Sequence, residues 1–377
     1  MLVGRDRELS TLDELLRRAE LADRPIAVIT GEPGIGKSRL LDALARRVQT
    51  LGGRVAWGRT TEVGMTPAFW PWLQILGALE TADDRAPSLG DVDDRAVAST
   101  RLARFADVAA FLARRAATGP IALLFDDLHA ADPSSMQLLE HVLPLIGGTK
   151  LLVAIAARDS DATPENAAAL GRLLRHARRL PLARLTRAEV EALVAGRADA
   201  ERVFAQSEGN PLFVEELVAA GTGTLPALSS VRAVIRDRVA RLPAETGAAL
   251  VAAAVLGRDV PGRALAAMLG GAEVGARLAP ALRLGMIAEH APDRFRFSHA
   301  LVAEAIVDEL DPSERSRQHL AAAQALQAHG GDASAIAHHL LAAGHLATGA
   351  AVEAAERAAR DASSRLAFED AAELLAR

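Results

Sequence analysis

Gly31-Glu32-Pro33-Gly34-Ile35-Gly36-Lys37-Ser38 has the spacing G-x-x-x-x-G-K-[ST]. A short apolar run, Ile26-Ala27-Val28-Ile29-Thr30, comes immediately before it. After it, residues 37–50 carry Leu40, Leu41, Leu44 and Val48 at the spacing of one helical face. Strand, glycine-rich turn and helix in that order make an anion cradle. The glycines let the backbone curl and aim its N–H groups at phosphate oxygens, and the helix N-terminus adds positive potential. Lys37 is expected to reach the β- and γ-phosphates, and the Ser38 hydroxyl to sit on Mg²⁺. Gly31, Pro33, Gly34, Ile35, Gly36 and Arg39 complete the expected phosphate-binding set. The chain holds only two lysines, Lys37 and Lys150, among 43 basic residues, so a lysine at the motif position is informative.

The second half of such a site is an apolar strand ending in an acid, and Ile121-Ala122-Leu123-Leu124-Phe125-Asp126-Asp127 has that form. Asp126 is the expected Mg²⁺ residue, acting through water. Asp127 is then placed to polarise an attacking water. Aspartate is one methylene shorter than the glutamate usual in vigorous hydrolases, which fits slow turnover. Arg158 ends another apolar run, Leu151 to Ala157. A guanidinium at the carboxyl end of a strand faces the ligand crevice and can sense a γ-phosphate. His129 has no partner at metal-ligand spacing. Asp132-Pro133 reads as a helix cap, and Trp70 and Trp72 read as local core.

Val55-Ala56-Trp57 and Leu180 to Leu182 supply two more strand candidates. Leu102, Phe105, Val108, Ala109 and Leu112 mark a helical face ending near Gly119-Pro120. Continuous apolar strands separated by helices predict a parallel sheet covered on both faces. After about residue 183 helices dominate. Thr186 and Glu189 have capping-box spacing, and Pro211 stands at a first-turn position. Arg294-Phe295-Arg296-Phe297 alternates like half of a small hairpin, as in a winged helix. From residue 312 onward Ala/Leu seams predict helical hairpins at Ala321–Leu326, Ile336–Ala343, Ala350–Ala362 and Phe368–Ala376. The chain ends inside what reads as a repeat, so a piece of a longer protein is expected.

Composition removes several function classes. The 377 residues are 50% hydrophobic and 24% charged, too apolar for a disordered chain. The longest apolar run, about Ala248 to Leu256, is too short for a membrane span, so no membrane partner is expected. With no cysteine, disulfides and thiolate metal sites are excluded, which fits a cytoplasmic protein. A net charge of −5 argues against broad nucleic-acid binding, and without tyrosine, with 3% aromatics, stacking platforms are not expected.

With these residues in place, the chain resembles the STAND class of P-loop ATPases, most of all the ATPase part of large LuxR-type (MalT-like) bacterial regulators. Leu2-Val3-Gly4-Arg5-Asp6-Arg7-Glu8-Leu9 resembles their adenine-side motif, in which backbone groups at Val3, Gly4 and Arg5 would frame the base. Asp126 to Asp132 resembles their acidic strand and following loop. Gly209-Asn210-Pro211-Leu212-Phe213-Val214-Glu215-Glu216-Leu217 resembles their lid motif, whose proline packs on adenine. Arg296-Phe297-Ser298-His299-Ala300-Leu301 resembles a winged-helix segment whose histidine touches the β-phosphate of ADP. Ala300 stands where an acid is frequent.

The resemblance implies an α/β P-loop NTPase fold over 1–183, a helical lid over 184–225, a winged-helix-like domain over 226–311 and incomplete TPR-like helical repeats over 312–377. It further implies an ATP/ADP switch dependent on Mg²⁺, with slow hydrolysis and self-association in the ATP state. An inducer would bind the helical repeats, and DNA would be bound only by a domain outside this chain. Two other readings remain open: a remodelling ATPase of the AAA+ kind, and a non-catalytic nucleotide-binding scaffold.

Overall fold

The computed structural model describes residues 2–21, 23, 25–60, 67–89, 97–158, 164–220, 231–271, 273–365, 367 and 370–372. The described residues form two compact units. The first runs to Ala183 and includes those from Ala359 onward; the second is Arg184–Ala358.

The first unit is a five-stranded sheet with helices on both faces. Its elements are α1 (Asp6–Glu20), β1 (Ile26–Thr30), α2 (Lys37–Thr50), β2 (Arg54–Arg59), α3 (Trp70–Leu79), α4 (Val97–Ala117), β3 (Ile121–Asp126), α5 (Pro133–Leu145), β4 (Leu151–Ala157), α6 (Pro164–Leu174) and β5 (Arg178–Pro181). The strand order is β2-β3-β4-β1-β5, and every pairing is parallel. Strand β4 therefore lies between β1 and β3, so its carboxyl end falls between the glycine-rich loop and the acidic pair. β1, β3 and β4 are buried at every residue, as parallel strands covered on both faces must be.

Alternate strand residues point to opposite faces. On one face Ala27, Ile29, Leu124, Leu152 and Ala154 pack with Leu12, Leu15, Leu16 and Ala19 of α1 and Leu40, Leu41, Leu44 and Val48 of α2. On the other, the Trp72 ring meets Phe125 edge-on at 5.3 Å, while its indole Nε1–H donates to the Ser135 carbonyl at 3.0 Å. Trp72 is thus core, as expected, whereas Trp70 is 36% exposed. Leu102 departs from its expected place on the buried face of α4: it is exposed, and burial begins at Phe105. Helices α1, α3 and α6 are additions to the expected set. In α1, Leu12, Leu15, Leu16 and Ala19 form a buried stripe at helical spacing, hidden in sequence by the motif reading of its first turn. α3 is apolar nearly all round, so periodicity does not reveal it.

The second unit is mainly helical. It comprises α7 (Arg187–Val194), α8 (Ala200–Ser207), α9 (Pro211–Ala220), α10 (Val231–Ala240), α11 (Ala244–Leu256), β6 (Asp259–Pro261), α12 (Gly262–Met268), α13 (Val274–Arg283), β7 (Ile287–Ala291), β8 (Arg294–Phe297), α14 (Ala300–Asp308), α15 (Pro312–Ala328), α16 (Ala333–Ala342) and most of α17 (Thr348–Ser364). The Thr186–Glu189 capping box is present in both directions. Val190, Val194, Val203, Phe213, Val214 and Leu217 close a small core among α7, α8 and α9. Arg294–Phe297 is the central strand of an antiparallel sheet ordered β6-β8-β7, and Phe295 and Phe297 point into a core with Leu265, Leu278, Val302 and Ile306. The helix expected from Ala321 starts at Pro312, where the Asp311 carboxylate accepts from the Glu314 N–H at 2.9 Å and proline fills the first turn. Most of the expected Phe368–Ala376 helix lies outside the described residues; Asp370, Ala371 and Ala372 are helical.

Candidate nucleotide site

The loop after β1 has a backbone that side chains would spoil. Gly31 has φ +147°, and a Cβ there would stand 3.0 Å from Ile35 Cγ2 and 3.1 Å from the Leu182 carbonyl. Gly34 and Gly36 also have positive φ, at 77° and 103°. Gly36 is the N-cap of α2 and offers no side-chain acceptor, so the first turn opens without a cap of its own. Ile35 is buried and anchors the loop from beneath. Pro33, Ser38 and Arg39 are partly exposed along the rim.

Lys37 folds back over the loop. Its Nζ donates to the carbonyls of Gly31 at 2.8 Å and Glu32 at 3.0 Å. The ammonium is thereby held against the loop's own backbone. The Ser38 hydroxyl donates to Asp126 Oδ1 at 2.8 Å, joining the start of α2 to the end of β3 across the sheet. Asp126 is 1% exposed, and Asp127 follows it in the left-handed region at φ 56°. Thr60, after β2, braces this turn: its N–H and hydroxyl both donate to the Asp126 carbonyl at 3.2 Å, and the hydroxyl also meets the Asp127 carbonyl. Left-handed backbone outside glycine costs about 1 kcal/mol or more and persists where neighbours hold it. Here Thr60 holds it.

Arg158 follows β4 and is 9% exposed. Its N–H donates to His129 Nδ1 at 3.3 Å, and Asn166 Nδ2 donates to the carbonyls of His129 at 3.1 Å and Ala131 at 2.8 Å. His129 is thus a buried brace tying the acidic turn to the end of β4. Asp132 is the N-cap of α5: its carboxylate accepts from Ser135 N at 2.8 Å, Ser135 Oγ at 2.7 Å and Phe69 N at 3.0 Å. Burial raises its pKa above 3.8, against the pull of those three donors.

Val3 and Gly4 lead into α1, and Gly4 has φ 69°. Arg5 is 5% exposed; its Nη2 donates to the carbonyls of Ile35 at 3.2 Å and Ala183 at 2.8 Å. The side chain therefore braces the phosphate loop, a role its motif gives no hint of. Thr60 and Asn166 are site residues that the sequence does not reveal, and the bracing role of His129 is likewise hidden, for these contacts are set by strand order rather than by local spacing. The structure gathers the loop, Lys37, Ser38, Asp126, Asp127 and Arg158 at one edge of the first unit's sheet. Pro211 and His299 belong to the second unit. Pro211 opens α9 behind an Asn210 side chain that accepts from the Leu212 N–H at 3.1 Å, and His299 is the extended N-cap residue of α14.

Residues 1–155 match a family model described as an AAA ATPase domain. No curated protein matches the chain. Among solved structures, the chain is similar to the signal transduction ATPase with numerous domains (STAND) protein with a tetratricopeptide repeat sensor from Pyrococcus horikoshii. The identity is 14% and the TM-score 0.61, covering 100% of this chain and 58% of that one. The chain thus spans well under two thirds of that protein, and the likeness is one of fold. Weaker likenesses, with TM-scores of 0.38 and 0.42, link it to the Aeropyrum pernix ORC1 protein in complex with DNA and to Drosophila ORC bound to DNA. Each is 15% identical; they cover 82% and 81% of this chain and 93% and 86% of those. The first unit has the P-loop NTPase fold, and its residues 1–155 are the part similar to an AAA ATPase domain.

Proposed function

We propose that this chain is an ATP/ADP-binding signalling switch with slow hydrolysis, the regulatory part of a LuxR-type transcriptional regulator. The carrying observation is the Ser38–Asp126 hydrogen bond, which sets a hydroxyl and a carboxylate side by side beneath an uncapped helix N-terminus and a lysine. Two hard oxygen ligands at one point suit Mg²⁺. When bound, Mg²⁺ would supply neutralisation of the charge on the nucleotide's phosphates. Ser38 and, through water, Asp126 would hold that ion, and the backbone from Gly31 to Arg39 would cradle the phosphates.

Lys37 exchanges its two carbonyl partners for phosphate oxygens. Asp127, fixed by Thr60, takes a proton from the attacking water. Its short side chain limits that step and suits a switch more than a motor. Arg158, between the loop and the acids, reads the γ-phosphate. Val3, Gly4 and Arg5 frame the adenine, Pro211 packs on it from the lid at 184–225, and His299 of the winged-helix-like domain at 226–311 contacts the β-phosphate of ADP. The TPR-like helices from 312 receive an inducer. The ATP form self-associates, and DNA is bound by a domain outside this chain. A ligand moves such an equilibrium only through its different affinities for the two states.

Mass spectrometry of the purified protein is expected to find ADP, and steady-state hydrolysis to run below about one turnover per second. Faster turnover would favour a remodelling ATPase and reject the switch. Lys37→Ala should weaken ATP and ADP binding at least about 100-fold by calorimetry, since the ammonium and its charge-assisted bonds are lost. Retained affinity would remove the phosphate-loop assignment.

A further inference from the structure

The second unit holds a cluster of three histidines that the nucleotide chemistry does not use. His319 lies on α15, and His338 and His339 lie on α16, joined to α15 by a four-residue turn. One ring nitrogen from each histidine falls within 4.8 Å of the other two. His319 and His339 are buried, and their Nδ1 atoms are 2.9 Å apart; His338 is half-buried at the edge. The ring centroids are separated by 5.1, 5.2 and 5.8 Å.

We propose that His319, His338 and His339 form a binding site for a divalent transition cation of the zinc type, clamping α15 to α16. Three converging imidazoles are the ligand set of open zinc sites, with a fourth position left for water. Zinc, copper, nickel and cobalt favour such nitrogen ligands, whereas Mg²⁺ and Ca²⁺ favour oxygen. Zinc–nitrogen bonds of about 2.0–2.1 Å in a tetrahedron put nitrogens about 3.3 Å apart, so the pair need open by only about 0.4 Å. Burial lowers the pKa of both inner histidines, to about 4 for His319 and about 2 for His339, and neutral imidazole is the form that ligates a metal. Arg315 lies near enough to add to the lowering at His319; its guanidinium is engaged with the Val307 carbonyl at 3.0 Å and Asp308 at 4.0 Å. His339 also sits in the last turn of α16, where the helix dipole favours a cation.

The test uses the untagged full chain, stripped with chelator and free of nucleotide, with excess Mg²⁺ to fill oxygen-ligand sites. Titration with Co²⁺ is expected to give one equivalent bound, with the intense visible absorption of a four-coordinate nitrogen site. Zn²⁺ should bleach that absorption and raise the thermal midpoint by at least about 2 °C. His338→Ala, at the half-buried edge, should keep the fold and weaken Co²⁺ and Zn²⁺ binding at least tenfold, abolishing the thermal shift. His319→Gln and His339→Gln should do the same. Absence of saturable Zn²⁺ binding, or wild-type affinity in His338→Ala, would overturn the proposal. Nucleotide binding is measured in parallel and stays unchanged in His338→Ala, which separates failure of this site from failure of the switch.

Discussion

At the scale of single residues, Arg5 carries an unexpected share of the site. Its guanidinium holds the Ile35 carbonyl inside the phosphate loop and the Ala183 carbonyl beyond β5. Hydrogen bonds from a charged donor contribute about 1.5–3 kcal/mol each, and truncation strands the buried Ile35 acceptor. Arg5→Ala should therefore lower the thermal midpoint and weaken ADP binding about tenfold, measured by unfolding and by calorimetry. Arg5→Lys should recover only part, because both bonds come from Nη2 and the lysine Nζ ends one bond nearer the backbone. Equal ADP affinity in Arg5→Ala would show that the loop needs no brace. Lys37, Ser38 and Asp126 could be found in sequence because phosphate chemistry demands those residue types at fixed local spacing. Thr60 and Asn166 could not, nor could the bracing roles of Arg5 and His129, since each acts on backbone that only the strand order brings near.

At the scale of elements, the start of α5 shows a local rule working under burial. Asp132-Pro133 is legible as a cap, and the carboxylate accepts from both Ser135 groups and from Phe69. Asp132→Ala should cost about 1–2 kcal/mol or more, as buried caps do. The pH dependence follows from the raised pKa. The unfolded chain ionises near 3.8 and the folded chain higher, because burial disfavours the carboxylate. The stability this group contributes is thus full below pH 3.8 and is lost as pH rises through the folded value. Asp132→Asn keeps an acceptor for the α5 cap without the charge, so its unfolding free energy should lack that decline. A profile parallel to the wild type from pH 3.8 upward would refute this account. Helix α3 shows the opposite case: with apolar residues nearly all round, its sequence carries no period to read. The early start of α15 shows a third, because a cap such as Asp311 fixes a helix end that an alanine-rich seam leaves vague.

At the scale of the whole molecule, the switch requires that the second unit feel which nucleotide the first one holds. The parallel sheet and its loop follow from apolar runs and one motif, so that half of the fold is strongly encoded locally. The proposed sensing half would rest on Pro211 and His299, whose local settings are a helix first turn and an extended N-cap. Neither setting by itself demands a nucleotide, which is why kinetics must decide. If His299 holds the ADP state, His299→Ala should speed ADP release about tenfold or more, read by stopped flow with a fluorescent ADP analogue, and should raise self-association in ADP, read by light scattering. A tenfold faster release corresponds to about 1.4 kcal/mol, the size expected of one hydrogen bond to a charged group. Lys37→Ala, in contrast, should weaken binding of both nucleotides at least about 100-fold, so the two variants separate a grip on phosphate from a report on its state. An unchanged ADP release rate in His299→Ala would leave a nucleotide-binding ATPase domain in place but remove the histidine from its control.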